Sequence, residues 1–361
     1  MPGRASRRRN LIRNLTLALA SVLTCLLAAE VGFRLLDPFP YYSSDQITHT
    51  YHGNLSMYDT LLGWRGVPDG AARITTHNNQ VGVLHNPSGF RDLAHDDSTD
   101  RRPGIVFLGD SFTWGYEVEW EEMFVNILRE RLLQYEIYNL AHNGYGTDQS
   151  LLTYRYWRTH GDTRLVVLVF TENDVDDNNA ARRYFKNKPK FEMLYGQLVL
   201  TGVPVEREDA WDVARRSEDD TETRPSWIRD VAFCSHLLHD MYYRLRALCG
   251  SGEAPSPADE APDLQLTSAL LRELNREVQG RGAELLIVFV PSKSEIYELT
   301  DTEPYQRAIA RLCREHGIGF LDLAPAFHDT WLRTYYRLDM HWNARGHRVA
   351  AAVIAEHLRD R

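Results

Sequence analysis

Apolar residues gather in short unbroken runs along the second half of this chain, and stretches with helical spacing separate the runs. Ile105 to Leu108, Glu136 to Leu140, Leu165 to Phe170, Leu285 to Val290 and Phe320 to Leu323 are each the length of a strand. The third reads LVVLVF and does not alternate. A strand apolar on both faces belongs in a parallel sheet covered by helices. Between the runs, Trp120 to Leu133 places Phe124, Ile127, Leu128 and Leu132 at helix spacing. Asp148 to His160 is stopped by Gly161, Leu264 to Gln279 by Gly280, and Tyr305 to His316 by Gly317. Asn343 is the expected N-cap of a last helix from Ala344 to Leu358. Strand and helix in alternation predict an α/β fold, a three-layer α/β/α sandwich on a five-stranded parallel sheet.

Three regions fall outside that rhythm. Leu15 to Ala29 carries no charged side chain, and Leu11, Ile12 and Val31 to Leu36 extend it toward the length of a membrane span. Arg4, Arg7, Arg8, Arg9 and Arg13 stand on its amino side only, which orients an anchor with the N-terminus in the cytoplasm and the remainder outside it. A cleaved signal peptide is the rival, but no clear small-x-small cleavage site precedes Glu30. Pro38 to Asp100 shows turn residues and short possible strands, such as Ala72 to Thr75 and Val81 to Leu84, and is read as a partly stranded lead. From Asp176 to Pro262 come a basic cluster (Arg182, Arg183, Lys186, Lys188, Lys190), an acidic run through Glu218 to Asp220 and a Pro/Ser/Glu-rich linker. The expected division is residues 1–36, tail and anchor; 37–103, lead; and 104–361, sheet domain with an insertion at about 176–262.

Composition narrows the function classes. With 361 residues and 43% hydrophobic content the chain can bury a large core. Its net charge is -9 with the arginines at one end, so the acidic remainder argues against a nucleic-acid partner. A helix between Cys234 and Cys249 would hold them roughly 22 Å apart, whereas a disulfide needs about 7 Å, so no disulfide framework is expected. Cys25 follows Leu23-Thr24, which does not suit lipidation.

Candidate chemistry lies at the strand ends. Gly109-Asp110-Ser111 follows the first strand, and Asn139 to Gly144 the second. Thr171-Glu172-Asn173-Asp174 follows the third, and Asp339-Met340-His341-Trp342-Asn343 lies beyond the fifth. In this architecture such ends meet in one cleft. Ser, Gly, Asn and His in that order resemble the SGNH/GDSL hydrolase superfamily, with its flavodoxin-like sheet. The resemblance implies Ser111 as nucleophile, His341 as general base oriented by Asp339, and Ser111, Gly144 and Asn173 as oxyanion donors. It implies neither metal nor cofactor. Thr171 stands where the family has glycine, and the Asp-x-His-Trp spacing resembles the branch holding polysaccharide O-acetyltransferases; Asp322 is an alternative carboxylate. Trp114 and Trp342 form either an aromatic wall for a sugar ring or part of the core. His142 is expected to be structural, as are His236 and His239, which have no third ligand at metal spacing.

These features imply an extracytoplasmic serine ester hydrolase acting on a small-molecule or polysaccharide ester. The alternatives are an acyltransferase using the same serine and a non-catalytic sugar-binding protein on the same fold. An α/β-hydrolase elbow is half present, with Gly109 in place but Thr113 where its second glycine belongs. The residues leave the oligomeric state open.

Overall fold

The computed structural model describes residues 4–36, 50–76, 78–95, 102–157, 162–184, 186–207, 264–296, 303–330, 333–336 and 339–359. Cys234, Cys249, His236, His239, the acidic run and the linker lie outside them. The chain divides into two compact units. The first, residues 1–41 and 219–254, contributes one described element, the helix α1 (Arg4–Leu36). Within it Ile12–Gly32 is long and apolar enough to cross a membrane, a test that a signal sequence near an N-terminus also passes. Leu15, Leu17, Leu19, Leu23 and Leu27 are all exposed, and the hydroxyls of Thr16 and Thr24 donate to Ile12 O and Ala20 O at 3.0 and 2.9 Å. Such bonds satisfy a hydroxyl inside its own helix, as an apolar medium requires.

The second unit, residues 42–218 and 255–361, holds every strand described. Its lead contributes β1 (Thr50–Gly53), β2 (Ser56–Asp59), β3 (Gly63–Gly66), β4 (Ala71–Thr75) and β5 (Gln80–Leu84), paired antiparallel as β1-β4-β5 and β2-β3. The central strands are β6 (Gly104–Leu108), β7 (Glu136–Asn139), β8 (Thr163–Phe170) and, after the insertion, Glu284–Phe289 and Gly319–Asp322. Within the insertion lie two hairpins, β9 (Arg182–Arg183) with β10 (Lys186–Asn187) and β11 (Lys190–Leu194) with β12 (Gln197–Thr201). Counting on, Glu284–Phe289 is β13 and Gly319–Asp322 is β14. The parallel sheet runs β14-β13-β8-β6-β7, so the chain reverses direction across the sheet between β6 and β8. Ligands bind outside the strand ends at such a point.

Period-two geometry sends successive strand residues to opposite faces. Val106, Leu108, Val166, Leu168, Phe170, Ile287 and Phe289 pack against Leu270, Leu271, Leu274 and Val278 of the helix Gln265–Gly280. Ile105, Phe107, Val167, Val169, Leu286 and Val288 pack against Phe124, Val125 and Leu128 of Phe124–Arg131 and Ile354 and Leu358 of Ala344–Arg359. Each such side chain contributes about 1.5–3 kcal/mol when fully buried. The helix predicted from Trp120 begins instead as a 3-10 turn, Trp120–Glu122, before the α-helix at Phe124. Asn343 caps the last helix, its Oδ1 accepting from Arg345 N at 2.9 Å.

The lead is fastened to the sheet domain by buried polar groups. Asp92 Oδ2 accepts from Asn139 N at 2.8 Å, Tyr145 Oη donates to Trp64 O at 2.6 Å, and Gln149 Nε2 donates to Leu62 O at 2.8 Å. The Arg91 guanidinium donates to Gly115 O and to Val118 O, the latter at 2.8 Å.

Candidate active site

Gly109 follows β6 with φ 144°, and a Cβ there would stand 2.6 Å from Thr113 Oγ1 and 2.9 Å from Val169 O. Only glycine fits so close an approach of one strand end to the next. Asp110 follows as N-cap of the short helix Ser111–Trp114, its Oδ1 accepting from Phe112 N at 2.9 Å. Ser111 is thereby held at the carboxyl end of β6.

On the other side, Asp339 Oδ1 accepts two N–H groups of His341, the backbone amide at 2.7 Å and the ring Nδ1. That leaves Nε2 as acceptor, and it lies 2.7 Å from Ser111 Oγ. Serine, imidazole and carboxylate therefore form one chain, the arrangement that lets an imidazole take a hydroxyl proton. Burial pulls His341 down, but Asp339, Glu117 and Asp110 outweigh it and raise its pKa above the ordinary histidine value. Asp322 is elsewhere, accepting from Ala324 N at 2.9 Å and from Gln306.

Asn173 opens the helix Asn173–Asn179 after β8, and its Nδ2 donates to Asp177 Oδ2 at 3.1 Å. One amide hydrogen is anchored and the other is left to orient. Arg183 pairs with Asp177, and Lys188 Nζ donates to Asp177 O at 2.6 Å while pairing with buried Asp148. Lys190 pairs with Glu192 at 3.1 Å. Much of the basic cluster is thus neutralised by acidic partners and ties the insertion to the strand ends. Gly144 adopts φ 77° beneath Tyr184, where a Cβ would meet the ring at 2.9 Å.

Thr171, standing where the family has glycine, has a hydroxyl between two carboxyls. It is 3.2 Å from Asp110 Oδ2 and 3.3 Å from Asp174 Oδ2. One hydroxyl proton cannot serve both. Burial, reinforced by Asp110, holds the Asp174 carboxyl well above its usual range. Burial also pushes Asp110 up to about 6.

The two tryptophans take the core alternative, since Trp114 is 2% and Trp342 0% exposed. Trp342 stacks on Phe327 at 5.1 Å and meets Phe112 edge-on at 5.0 Å, while Trp114 lies under the Arg91 guanidinium. Neither offers an exposed face to a ligand. His142 is buried, stacks on Tyr145 at 5.0 Å and is pushed down to about 3 by desolvation. Sequence reasoning missed Glu117 and Lys293. Lys293 Nζ donates to Tyr336 O at 2.7 Å and to Asp339 O at 3.1 Å, tying down the histidine loop.

Residues 250–361, which include Asp339 and His341 but not Ser111, match the family model described as SGNH hydrolase-like domain, acetyltransferase AlgX. The similarity to an SGNH hydrolase-like domain thus lies in the C-terminal part of the chain. Among curated proteins it is similar to the alginate biosynthesis protein AlgX of Pseudomonas aeruginosa, 32% identical over 105 residues, covering 25% of this chain. The match spans only 22% of that relative's length. Solved structures similar to this chain include the acetyl xylan esterase AlAXEase, with 15% identity, a TM-score of 0.39 and coverage of 71% of this chain and 99% of that one. A lipolytic protein of the G-D-S-L family from Veillonella parvula has 14% identity and a TM-score of 0.37, covering 71% and 98%. Both are too distant to bear on what the site does.

Proposed function

We propose that the SGNH domain cleaves carboxylic esters of a carbohydrate or similar polar alcohol through an acyl-Ser111 intermediate, with water as the usual acceptor. The observation that carries this reading is the 2.7 Å approach of Ser111 Oγ to His341 Nε2, with Asp339 on the opposite ring nitrogen. A serine hydroxyl is a weak nucleophile until a neutral imidazole removes its proton. Ser111 Oγ attacks the acyl carbon as His341 Nε2 takes the proton; Asp339 fixes the tautomer and stabilises the imidazolium. His341 then returns the proton to the departing alkoxide. Water repeats the sequence in reverse and releases the acid. The developing oxyanion is received by the Ser111 and Gly144 N–H groups and the Asn173 amide, each worth about 3 kcal/mol of barrier in comparable sites.

A second reading has a specific observation behind it. The family model matched by residues 250–361 is described as an acetyltransferase, which favours a sugar hydroxyl as the acceptor from the same acyl-serine. A labelled acetyl ester supplied with a panel of oligosaccharides separates the two. Free labelled acetate is expected from hydrolysis and labelled sugar from transfer. Release of either by a folded Ser111→Ala protein at the wild-type rate would remove Ser111 from both.

We further propose that α1 stays as a membrane anchor with its arginines in the cytoplasm and the SGNH domain outside it. The asymmetry of Arg4 to Arg13 supports that orientation. A reporter fused after Arg361 should be active outside the cytoplasm; activity only inside would reverse it.

A further inference from the structure

Close to the His341 ring and Asp339 lies a second carboxyl, that of Glu117. Glu117, Asp339 and His341 each bring one ligating atom within 4.8 Å of the others. A cation between them would need a free imidazole nitrogen, yet Nδ1 is bonded to Asp339 and Nε2 to Ser111. The cluster is arranged around a proton.

Glu117 is held where it is by several elements. It is fully buried, and its φ of 61° is one that a side-chain-bearing residue rarely adopts. Its carbonyl accepts from Tyr336 Oη at 2.7 Å and from Asn79 Nδ2 at 3.1 Å. Asn78 Nδ2 lies 3.3 and 3.4 Å from its two carboxyl oxygens. Arg91 binds the carbonyls of Gly115 and Val118 on either side. The lead and the histidine loop thus converge on a residue that the serine–histidine–aspartate chain does not itself require.

We propose that Glu117 is a positioning residue for the Asp339–His341 pair, a second carboxyl set in place to stabilise the imidazolium that forms when Ser111 gives up its proton. The proposal rests on the acyl-serine reading above. The charged and titratable groups around Glu117 are Asp339 and His341 in the loop, Tyr336 before it, Lys293 on Asp339 O, Arg91 beneath the turn, and Glu122 near Tyr336. Burial, and then Asp339, push Glu117 up to about 7, so its charge changes in the range where the base must be neutral. Negative charge on Glu117 favours the protonated imidazole. Replacing it with a neutral isostere should therefore let His341 lose its proton at lower pH.

The test uses the full chain in detergent micelles. The His341 imidazole is titrated by NMR with labelled histidine, its resonance identified by its loss in His341→Ala, alongside the pH profile of kcat/KM on an acetyl ester. Glu117→Gln should lower both the His341 midpoint and the acid limb by about one pH unit, as removal of a neighbouring charge does. Glu117→Asp, which draws the carboxyl back by one carbon, should move both part of the way and serves if the glutamine variant does not fold. A His341 midpoint unchanged in the folded variants overturns the proposal. A shifted midpoint in a protein without esterase turnover would support Glu117 while removing the acyl-serine reading.

Discussion

Two buried aspartates flank the Ser111–His341 contact, and they differ in what they hold. Asp339 accepts from an imidazole that, in the reaction proposed above, becomes a cation when the serine proton arrives. Asp110, next to Ser111 in the chain, accepts from the Phe112 amide and faces the Thr171 hydroxyl, both neutral donors. One carboxylate has a partner whose charge answers its own; the other caps a turn and is pushed up by burial to about 6. Proximity to the reacting hydroxyl therefore does not assign a role. The charge state of the partner does.

The largest effect should separate the two. Asp339→Asn is expected to lower kcat by about 10⁴, as when a triad carboxylate becomes an amide that selects the wrong tautomer. Asp110→Asn should stay within about tenfold of wild type, since an amide oxygen still caps the Phe112 N–H. Steady-state kinetics on a simple acetyl ester decides this, and similar losses from both would erase the distinction. A smaller loss, about a hundredfold, is expected for Asn173→Ala through one missing oxyanion donor. An unchanged kcat would take Asn173 out of the site.

The smallest effect is on stability. The Asp110 carboxyl has its ordinary value of 3.8 when unfolded and about 6 when folded, so the folded state binds more protons between those values. Stability from this group is full below 3.8 and is lost as pH rises through 6. Asp110→Asn removes that loss and should make the protein more stable than wild type at pH 8, on the order of 3 kcal/mol, with most of the difference gone by pH 4. The comparison must be made at each pH. His85, His142 and His347, kept neutral by burial at about 4, 3 and 3, weaken the fold in acid in both proteins alike. Urea unfolding at pH 4, 6 and 8 measures the gap; a mutant less stable at pH 8 would mean that the Asp110 charge is compensated after all.

Much of the sheet could be read from the runs of apolar residues. A strand buried on both faces, such as Leu165 to Phe170, has no solvent side on which to alternate, and its length and flanks mark it out. Ser111 could be singled out because it stands just after such a strand, and Asp339 and His341 because they lie just before the last helix. Glu117 was not. In sequence it sits among Tyr116, Val118, Glu119 and Trp120, where an acidic residue passes for a solvated turn. Its burial comes from Asn78, Asn79 and Arg91, distant in the chain. The partners of the basic cluster were hidden in the same way, since Asp148 and Asp177, which pair with Lys188 and Arg183, precede it on other elements.

By itself, the sequence determined the order of strands and helices, the apolar N-terminal segment and the residue types at the strand ends, since each depends on neighbours in the chain. Tertiary structure alone decided which carboxyl meets which partner. It placed Asp339 rather than Asp322 on His341, put Thr171 between Asp110 and Asp174, and turned Trp114 and Trp342 inward. Hydrogen-bond geometry and desolvation act over a few ångströms of space, and those distances are set only when separate elements pack.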